Sequence, residues 1–348
     1  MELGRLAPNL ALLGLSLTVA IGGLELSLRA LYPPPARFLY PQESYDFASE
    51  IGYRLRPGQK AFTHDRPVHI NSLGLRDGEI ATEIAPGRRR VLTLGDSQTF
   101  GNGLDLADTW PKQLERMLGT SGRTTWEVVN GGIPGTDTWQ HEILLRRLLA
   151  KLNPQVVVLA FYVNDVTPRY DPRTIDASAQ TNTWRKRLAY LLKRSAVLTW
   201  IYWREFVPWS GPAPERERSV EEAVLDGHND PRAERGWQQV EQSLAAMKVA
   251  CDARHVTLLV AILPRRDQVS GLHAGRAYNA RALSTSAALG IEAIDLLDDL
   301  SAAYRVDGNA LFIPWDGHDS AIANRVIATR LASILIRLDA RGGETKLR

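Results

Sequence analysis

Four short clusters of polar and glycine residues contain the side chains that could do chemistry in this chain of 348 residues. In chain order the clusters read GDSQTFG, NGGIPG, VND and DGHDS, and they contain Ser97, Gly132, Asn164, Asp316 and His318. Acyl transfer from an ester needs a nucleophile, a base, a group that orients the base, and hydrogen-bond donors for the oxyanion. The four clusters together offer a candidate for each of these roles.

The residue types match the roles of a serine hydrolase. Ser97 supplies a hydroxyl, His318 can accept its proton, and Asp316 can hold the imidazole tautomer, which is the logic of a Ser-His-Asp triad. The backbone N–H groups of Ser97 and Gly132 and the side-chain amide of Asn164 can donate to the oxyanion. Glycine at position 132 also lets the backbone come close to a substrate.

Two other interpretations of these residues remain open. The sequence DGHND repeats the order Asp-Gly-His, so His228 is a rival base, although no predicted strand precedes it. Asp96 and Asp165, expected to stabilise turns, could act with Asp316 and His318 as ligands of a hard cation. One histidine with scattered carboxylates is a thin ligand set, so we expect no metal or other cofactor. The remaining histidines are expected to be structural or surface residues: His64, His69, His141, His255 and His273.

The elements that must position these clusters follow from the apolar pattern, in which short apolar runs alternate with helical patterns. The runs that read as strands occupy residues 91–95, 126–130, 156–162, 256–264 and 291–296. The helical patterns occupy residues 108–119, 138–152, 234–253, 277–289 and 321–338. This alternation predicts an α/β fold, a doubly wound, flavodoxin-like parallel sheet of about five strands with helices on both faces. Ligands bind outside the carboxyl ends of such strands, and each polar cluster comes after a predicted strand.

The four clusters together resemble the sequence blocks of the SGNH hydrolases, the superfamily of GDSL-type esterases and lipases. The resemblance extends over about residues 90–338. It implies an ester hydrolase, with Ser97 as the nucleophile, Gly132 and Asn164 as oxyanion donors, and His318 with Asp316 as the base.

Other parts of the chain add to this resemblance or depart from it. The segment HINSLGLRD, residues 69–77, resembles a lead-in segment of membrane-anchored members. Tyr162 stands where the family usually has a glycine, which could narrow the pocket. A single residue separates Asp316 from His318, where many members have two, but the shorter spacing still permits a side-chain contact.

The N-terminal residues 6–31 are long and apolar enough to span a bilayer as one helix. We therefore predict a signal anchor at residues 1–32, with a cleaved signal peptide or a buried amphipathic helix as the alternatives. The flanking charges are weak, so the positive-inside rule leaves the orientation open. We expect the catalytic part to lie outside the cytoplasm, in the periplasm.

The rest of the chain divides into a linker with a lead-in segment, residues 33–89, and a hydrolase domain, residues 90–340. An insertion is predicted at residues 167–232. Within it, residues 183–209 mix basic side chains with tryptophan and tyrosine. Such a segment could lie in a membrane interface, or it could form a helical cap on the core.

Composition excludes some classes of protein. The net charge of +3 is too small to indicate a nucleic-acid-binding protein. The lone Cys251 excludes an internal disulfide framework and is expected to be a small buried residue. The resemblance to the SGNH hydrolases and the predicted anchor together imply a hydrolase of an acyl or acetyl ester on an envelope glycan or lipid. An O-acyltransferase with a sugar acceptor and an inactive binding or assembly component of the envelope are the alternatives.

Overall fold

The computed structural model describes residues 3–31, 38–39, 41–119, 125–167, 188, 192, 194–205, 220–314 and 316–345. Its strands are β1 (Tyr45–Ala48), β2 (Gly52–Leu55), β3 (Lys60–Thr63), β4 (Arg66–His69), β5 (Arg88–Gly95), β6 (Thr125–Gly132), β7 (Val156–Phe161), β8 (Thr257–Ile262) and β9 (Glu292–Asp295). The last five strands form one sheet in the order β6-β5-β7-β8-β9, with every neighbouring pair parallel. The predicted doubly wound parallel sheet is confirmed, and its order is flavodoxin-like.

Helices follow most of these strands. They are α1 (Leu3–Leu31), α2 (Ser97–Phe100), α3 (Trp110–Gly119), α4 (Thr138–Leu152), α5 (Ala196–Glu205), α6 (Val220–Asp226), α7 (Pro231–Asp252), α8 (Arg266–Val269), α9 (Ala277–Ala288), α10 (Leu297–Asp307) and α11 (Ala321–Thr345). Short 3-10 helices occupy Leu106–Asp108, Val163–Val166 and Gly308–Leu311. The crossover helices return the chain to the amino ends of the strands, so the carboxyl ends gather at one edge.

The sheet is buried on both faces, which explains its nearly continuous apolar strands. In β7, Val157 and Leu159 pack into the core with α4, α7 and α9. Val156 and Val158, which alternate with them, pack into the core with α3, α10 and α11. Because side chains alternate across a strand, one short run fills two hydrophobic layers.

Two antiparallel hairpins precede the sheet. One pairs β1 with β2, and the other pairs β3 with β4. Ile51, Leu55, Val68 and Ile70 from these hairpins are buried in the same core as α4 and α7. This lead-in region is therefore packed onto the parallel sheet as part of its hydrophobic core.

The N-terminal helix α1 contains one stretch, Pro8–Leu31, that is long and apolar enough to cross a bilayer. Its mean hydropathy is 1.8 and its side chains are almost all exposed, although a signal sequence would have the same apolar character. Near its end, Glu25 accepts hydrogen bonds from Ser195 Oγ and the backbone N–H groups of Ala196 and Val197, at 2.7, 2.9 and 3.1 Å. These contacts join α1 to the first turn of α5.

Most of the predicted insertion at 167–232 and about half of its basic aromatic segment, 183–209, lie outside the described residues. Of that segment the structure describes residues 188, 192 and 194–205. Cys251 is fully buried in α7, as expected, and burial raises the pKa of its thiol to about 12.

Candidate active site

Ser97 lies at the turn that joins β5 to α2. Asp96 caps this short helix, because its Oδ1 accepts a hydrogen bond from the backbone N–H of Gln98 at 2.9 Å. Gly101 ends the helix in a left-handed conformation with a φ of 82°. As the first residue of the helix, Ser97 has a backbone N–H that no intrahelical carbonyl can accept.

His318 lies between Ser97 and Asp316. Its Nε2 is 2.8 Å from Ser97 Oγ, and its Nδ1 is 2.8 Å from Asp316 Oδ2. Gly317, with a φ of 84°, turns the loop before α11 so that the two side chains on either side of it can meet. The spacing of one residue therefore permits the contact, and the three side chains form the hydroxyl, imidazole and carboxylate series of a triad.

Charge and burial act in opposite directions on the imidazole of His318. Burial lowers its pKa, but the charge and hydrogen bond of Asp316, with the charges of Asp96 and Asp319, outweigh burial and raise the pKa to about 9. For Asp316, burial raises the pKa, while the charge and hydrogen bond of His318 and the charge of His64 outweigh it and lower the pKa below its usual value. The ionised carboxylate thus favours a protonated imidazole.

Asn164 lies in the 3-10 helix that follows β7. Its Nδ2 donates a hydrogen bond to Asp96 Oδ2 at 2.8 Å, and the side chain is buried. An amide nitrogen carries two hydrogens, so one donor is used to fix the side chain and the second can serve a ligand. Asn164 can thus present a neutral donor beside the turn that carries Ser97.

Gly132 lies at the end of β6, in register with Gly95 of β5. A Cβ at this position would collide with the backbone nitrogen of Phe100 and the carbonyl carbon of Thr99, both in α2. The close packing against α2 thus requires glycine at this position, a different reason from the substrate approach expected from the sequence. The Gly132 N–H donates to Asn130 Oδ1 at 3.0 Å.

Asp165 stabilises the turn that follows β7. Its Oδ2 accepts from the backbone N–H of Tyr162, and its Oδ1 accepts from Thr138 Oγ1, both at 2.8 Å. His141 Nδ1 is 3.5 Å from Oδ1. Burial raises the pKa of Asp165 well above its usual value and lowers that of His141 to about 3, so both groups are driven towards their neutral forms.

Within the part of the chain that the structure describes, the rival base His228 makes no contact with this constellation. Its side chain is 43% exposed, and its Nε2 is 3.7 Å from Oδ2 of Asp226, the last residue of α6. Within the ranges that the structure describes, no group of three or more histidine, cysteine, aspartate or glutamate residues could hold a metal ion.

Sequence reasoning missed two lead-in residues that contact the site. Arg76 is fully buried and donates to the backbone carbonyls of Phe100, Gly101 and Leu104 at 2.8, 2.6 and 2.6 Å, directly after the turn that carries Ser97. His64 lies against Asp316. The motif HINSLGLRD, which contains Arg76, was the signal that could have found the first, whereas no motif surrounds His64.

Residues 93–320 match the GDSL-like Lipase/Acylhydrolase family. The fold is similar to the crystal structure of TesA, with 17% identity and a TM-score of 0.42, covering 69% of this chain and 94% of that chain. It is also similar to the acetyl xylan esterase AlAXEase, with 17% identity and a TM-score of 0.43, covering 70% and 98%. A third similar structure is that of the psychrotrophic esterase EstA from Pseudoalteromonas sp., with 12% identity and a TM-score of 0.42. The match covers 72% of this chain and 98% of that chain. No curated protein matches the chain.

The fold and the family match together define an α/β ester hydrolase of the SGNH type. The chain belongs to the GDSL-like lipase/acylhydrolase family, since the matched residues make up more than half of its length.

Proposed function

We propose that this protein hydrolyses an acyl or acetyl ester through an acyl-enzyme on Ser97. The observation that carries the proposal is the pair of 2.8 Å contacts that link Ser97 Oγ to His318 Nε2 and His318 Nδ1 to Asp316 Oδ2. A nucleophile, its base and the orienting group therefore already lie within hydrogen-bond reach of one another.

In the proposed acylation, Ser97 Oγ attacks the ester carbonyl carbon while His318 Nε2 takes the hydroxyl proton. The carbonyl electron pair moves to its oxygen, and the resulting oxyanion accepts hydrogen bonds from the Ser97 N–H and Asn164 Nδ2. Collapse of this intermediate breaks the ester C–O bond, and His318 returns the proton to the leaving alcohol. Water then attacks the acyl-enzyme by the same steps and releases the carboxylic acid.

Two further residues support these steps in the proposal. Asp316 accepts a hydrogen bond from His318 Nδ1, which keeps Nε2 available for the serine proton. Gly132 is the third proposed oxyanion donor. Because its N–H donates to Asn130 Oδ1, the oxyanion would have to replace that side-chain oxygen as acceptor.

We also propose that α1 is a membrane anchor, that the catalytic part lies in the periplasm, and that the ester belongs to an envelope glycan or lipid. Support comes from the apolar stretch Pro8–Leu31, whose side chains are almost all exposed, and from its contact with α5 through Glu25. Leu198 and Ile201 of α5 are 41% and 38% exposed, which continues the apolar surface beyond α1. A helix that lies beside an anchor with apolar residues exposed suits a membrane interface.

Vesicle sedimentation tests the anchor. The full chain should sediment with phospholipid vesicles, and the chain lacking residues 1–35 should stay in solution. Alkaline phosphatase fused after the last residue should be active only if the C-terminal part is exported. A soluble full chain or an inactive fusion would overturn this part of the proposal while leaving the chemistry untouched.

Covalent labelling tests the chemistry. A fluorophosphonate probe should label Ser97, and Ser97→Ala should lose both labelling and about four or more powers of ten in the rate of aryl-ester hydrolysis. Ser333→Ala is the matched control, because that hydroxyl is exposed on α11 and bonded to its own helix. Hydrolysis of the aryl ester by Ser97→Ala at the wild-type rate would contradict the proposed mechanism. Product analysis with a sugar acceptor present separates hydrolysis from acyl transfer.

A further inference from the structure

A second histidine contacts the carboxylate of the proposed triad. His64 Nε2 is 3.4 Å from Asp316 Oδ2, the same oxygen that receives the hydrogen bond from His318 Nδ1. The side chains of His64 and Asp316 are each only 9% exposed. Asp316 therefore lies between two imidazoles, one from the loop before α11 and one from the lead-in hairpin.

The backbone of His64 lies in the left-handed region. His64 and Asp65 form the two-residue turn between β3 and β4, and the φ of His64 is 53°. Glycine is the usual residue at positive φ in such turns, and histidine, like asparagine and aspartate, occurs there more often than other residues do. The turn therefore accepts a histidine, and it places the imidazole against Asp316.

Neighbouring residues hold His64 in place. Its backbone N–H donates to Gln42 Oε1 at 2.9 Å, and Gln42 Nε2 donates to its carbonyl at 2.8 Å. The Phe38 ring packs against the imidazole with their centroids 4.7 Å apart. Both backbone polar groups of His64 are thus bonded, and its imidazole lies between the Phe38 ring and Asp316.

We propose that His64 is a positioning residue, which holds the Asp316 carboxylate in place for His318. This inference rests on the proposed Ser97 mechanism. It assigns a part of the active site to the lead-in hairpin, which lies before the residues 93–320 that match the family.

The contact has a consequence for the base. The charged groups that face His318 are Asp316 and Asp319 of its own loop and Asp96 of the turn after β5, and all three favour its protonated form. The charged groups that face Asp316 are His318 and His64. Asp65 and Arg66, which follow His64 in the hairpin, form an ion pair with each other, with 3.6 Å between Arg66 Nε and Asp65 Oδ1. A donor on Asp316 draws part of its negative charge away from His318. Without His64, His318 should hold its proton to higher pH.

The test compares pH profiles of kcat/KM for aryl-ester hydrolysis. His64→Gly removes the imidazole and places glycine, the usual residue at positive φ, in the turn. The midpoint of the acid limb of the kcat/KM profile should therefore move up by about half to one pH unit. Activity below that limb should fall roughly 3- to 10-fold, because the rate follows the neutral fraction of His318, and the loss should shrink at higher pH. His64→Gln, whose amide can reach Asp316, should restore the limb towards its wild-type position.

His255→Gly is the matched control, since His255 also has a positive φ, 55°, and is exposed at the end of α7. It should leave the profile unchanged. If His64→Gly does not fold, His64→Phe gives the same test, because it keeps a ring against Phe38 without a donor. An unshifted limb in the folded variants, or a loss of equal size at every pH, would overturn the proposal. Failure of wild-type Ser97 to react with the fluorophosphonate would instead overturn the mechanism itself.

Discussion

Asn164 and Asp96 are joined by a 2.8 Å hydrogen bond from Nδ2 to Oδ2, which connects the segment after β7 to the turn after β5. The other oxygen of Asp96 accepts from the Gln98 N–H and caps α2. One carboxylate thus fixes both the helix that begins with Ser97 and the amide proposed as an oxyanion donor. The aspartate of the GDS sequence therefore supports the segments on both sides of Ser97, the proposed nucleophile.

Asp96→Asn should separate these two functions. An amide offers one acceptor oxygen where the carboxylate offers two, so either Gln98 or Asn164 loses its acceptor. Asparagine caps helices as well as aspartate does, so the melting temperature should change little. If Asn164 is the group that is released, kcat should fall roughly 10²- to 10³-fold, the usual cost of one oxyanion donor. Steady-state kinetics and a thermal melt check this, and a wild-type kcat would contradict it.

The raised pKa of His318 predicts an alkaline activity profile. The base works only when neutral, and its pKa of about 9 keeps it mostly protonated at neutral pH. In the free enzyme, kcat/KM should therefore rise with pH and level off above about 9. Asp319→Asn removes one of the charges that raise this pKa, so the kcat/KM of this variant should rise at a lower pH than that of the wild type. A wild-type limb near the ordinary histidine value of about 6.5 would refute the prediction.

Arg76 should be a major contributor to stability. Arg76→Met removes a buried guanidinium that donates to three backbone carbonyls, which would remain buried without these donors. We expect the free energy of unfolding to fall by about 3–5 kcal/mol. Urea denaturation measures this change. The control is Arg66→Met, because Arg66 forms a partly exposed ion pair with Asp105 and its loss should cost only about 0–1 kcal/mol.

Gly132→Ala should displace α2. The added methyl group would collide with the backbone of Thr99 and Phe100, which cannot move aside as a flexible side chain can. The free energy of unfolding should decrease by about 1–3 kcal/mol, the typical cost of overpacking, and fluorophosphonate labelling of Ser97 should become slower. Gly119→Ala, where a Cβ meets nothing within 4 Å, is the control and should leave the labelling rate unchanged.

The sheet was predictable from the sequence because its strands are buried on both faces. The run in β7 consists of apolar residues throughout, and its predicted start at Val156 agrees with the structure. The helix α4 begins and ends at Thr138 and Leu152, as its pattern predicts. The carboxyl ends of parallel strands meet at one edge of a sheet. The four polar clusters were therefore predicted to lie near one another, although their individual contacts were not.

Other features were not predictable, for physical reasons. The helix α10 was missed because only Leu297 and Leu300 of its residues are buried, too few to give a helical period. The contact of His64 with Asp316 depends on how the lead-in hairpin packs on the sheet, which no local pattern encodes. The reason for glycine at position 132 was missed as well, because the backbone that excludes a side chain belongs to α2.

The packing of the lead-in hairpins also limits where the chain can be shortened. A fragment starting at residue 90, where the hydrolase domain was predicted to begin, would retain Ser97, Asn164 and His318. It would lack the guanidinium that binds the carbonyls after α2, the imidazole beside Asp316, and the buried side chains of Ile51 and Leu55. We expect it to aggregate when expressed, whereas a fragment starting at residue 38 should be soluble and active. We therefore expect the smallest autonomous folding unit to be longer than the segment 93–320 that matches the family.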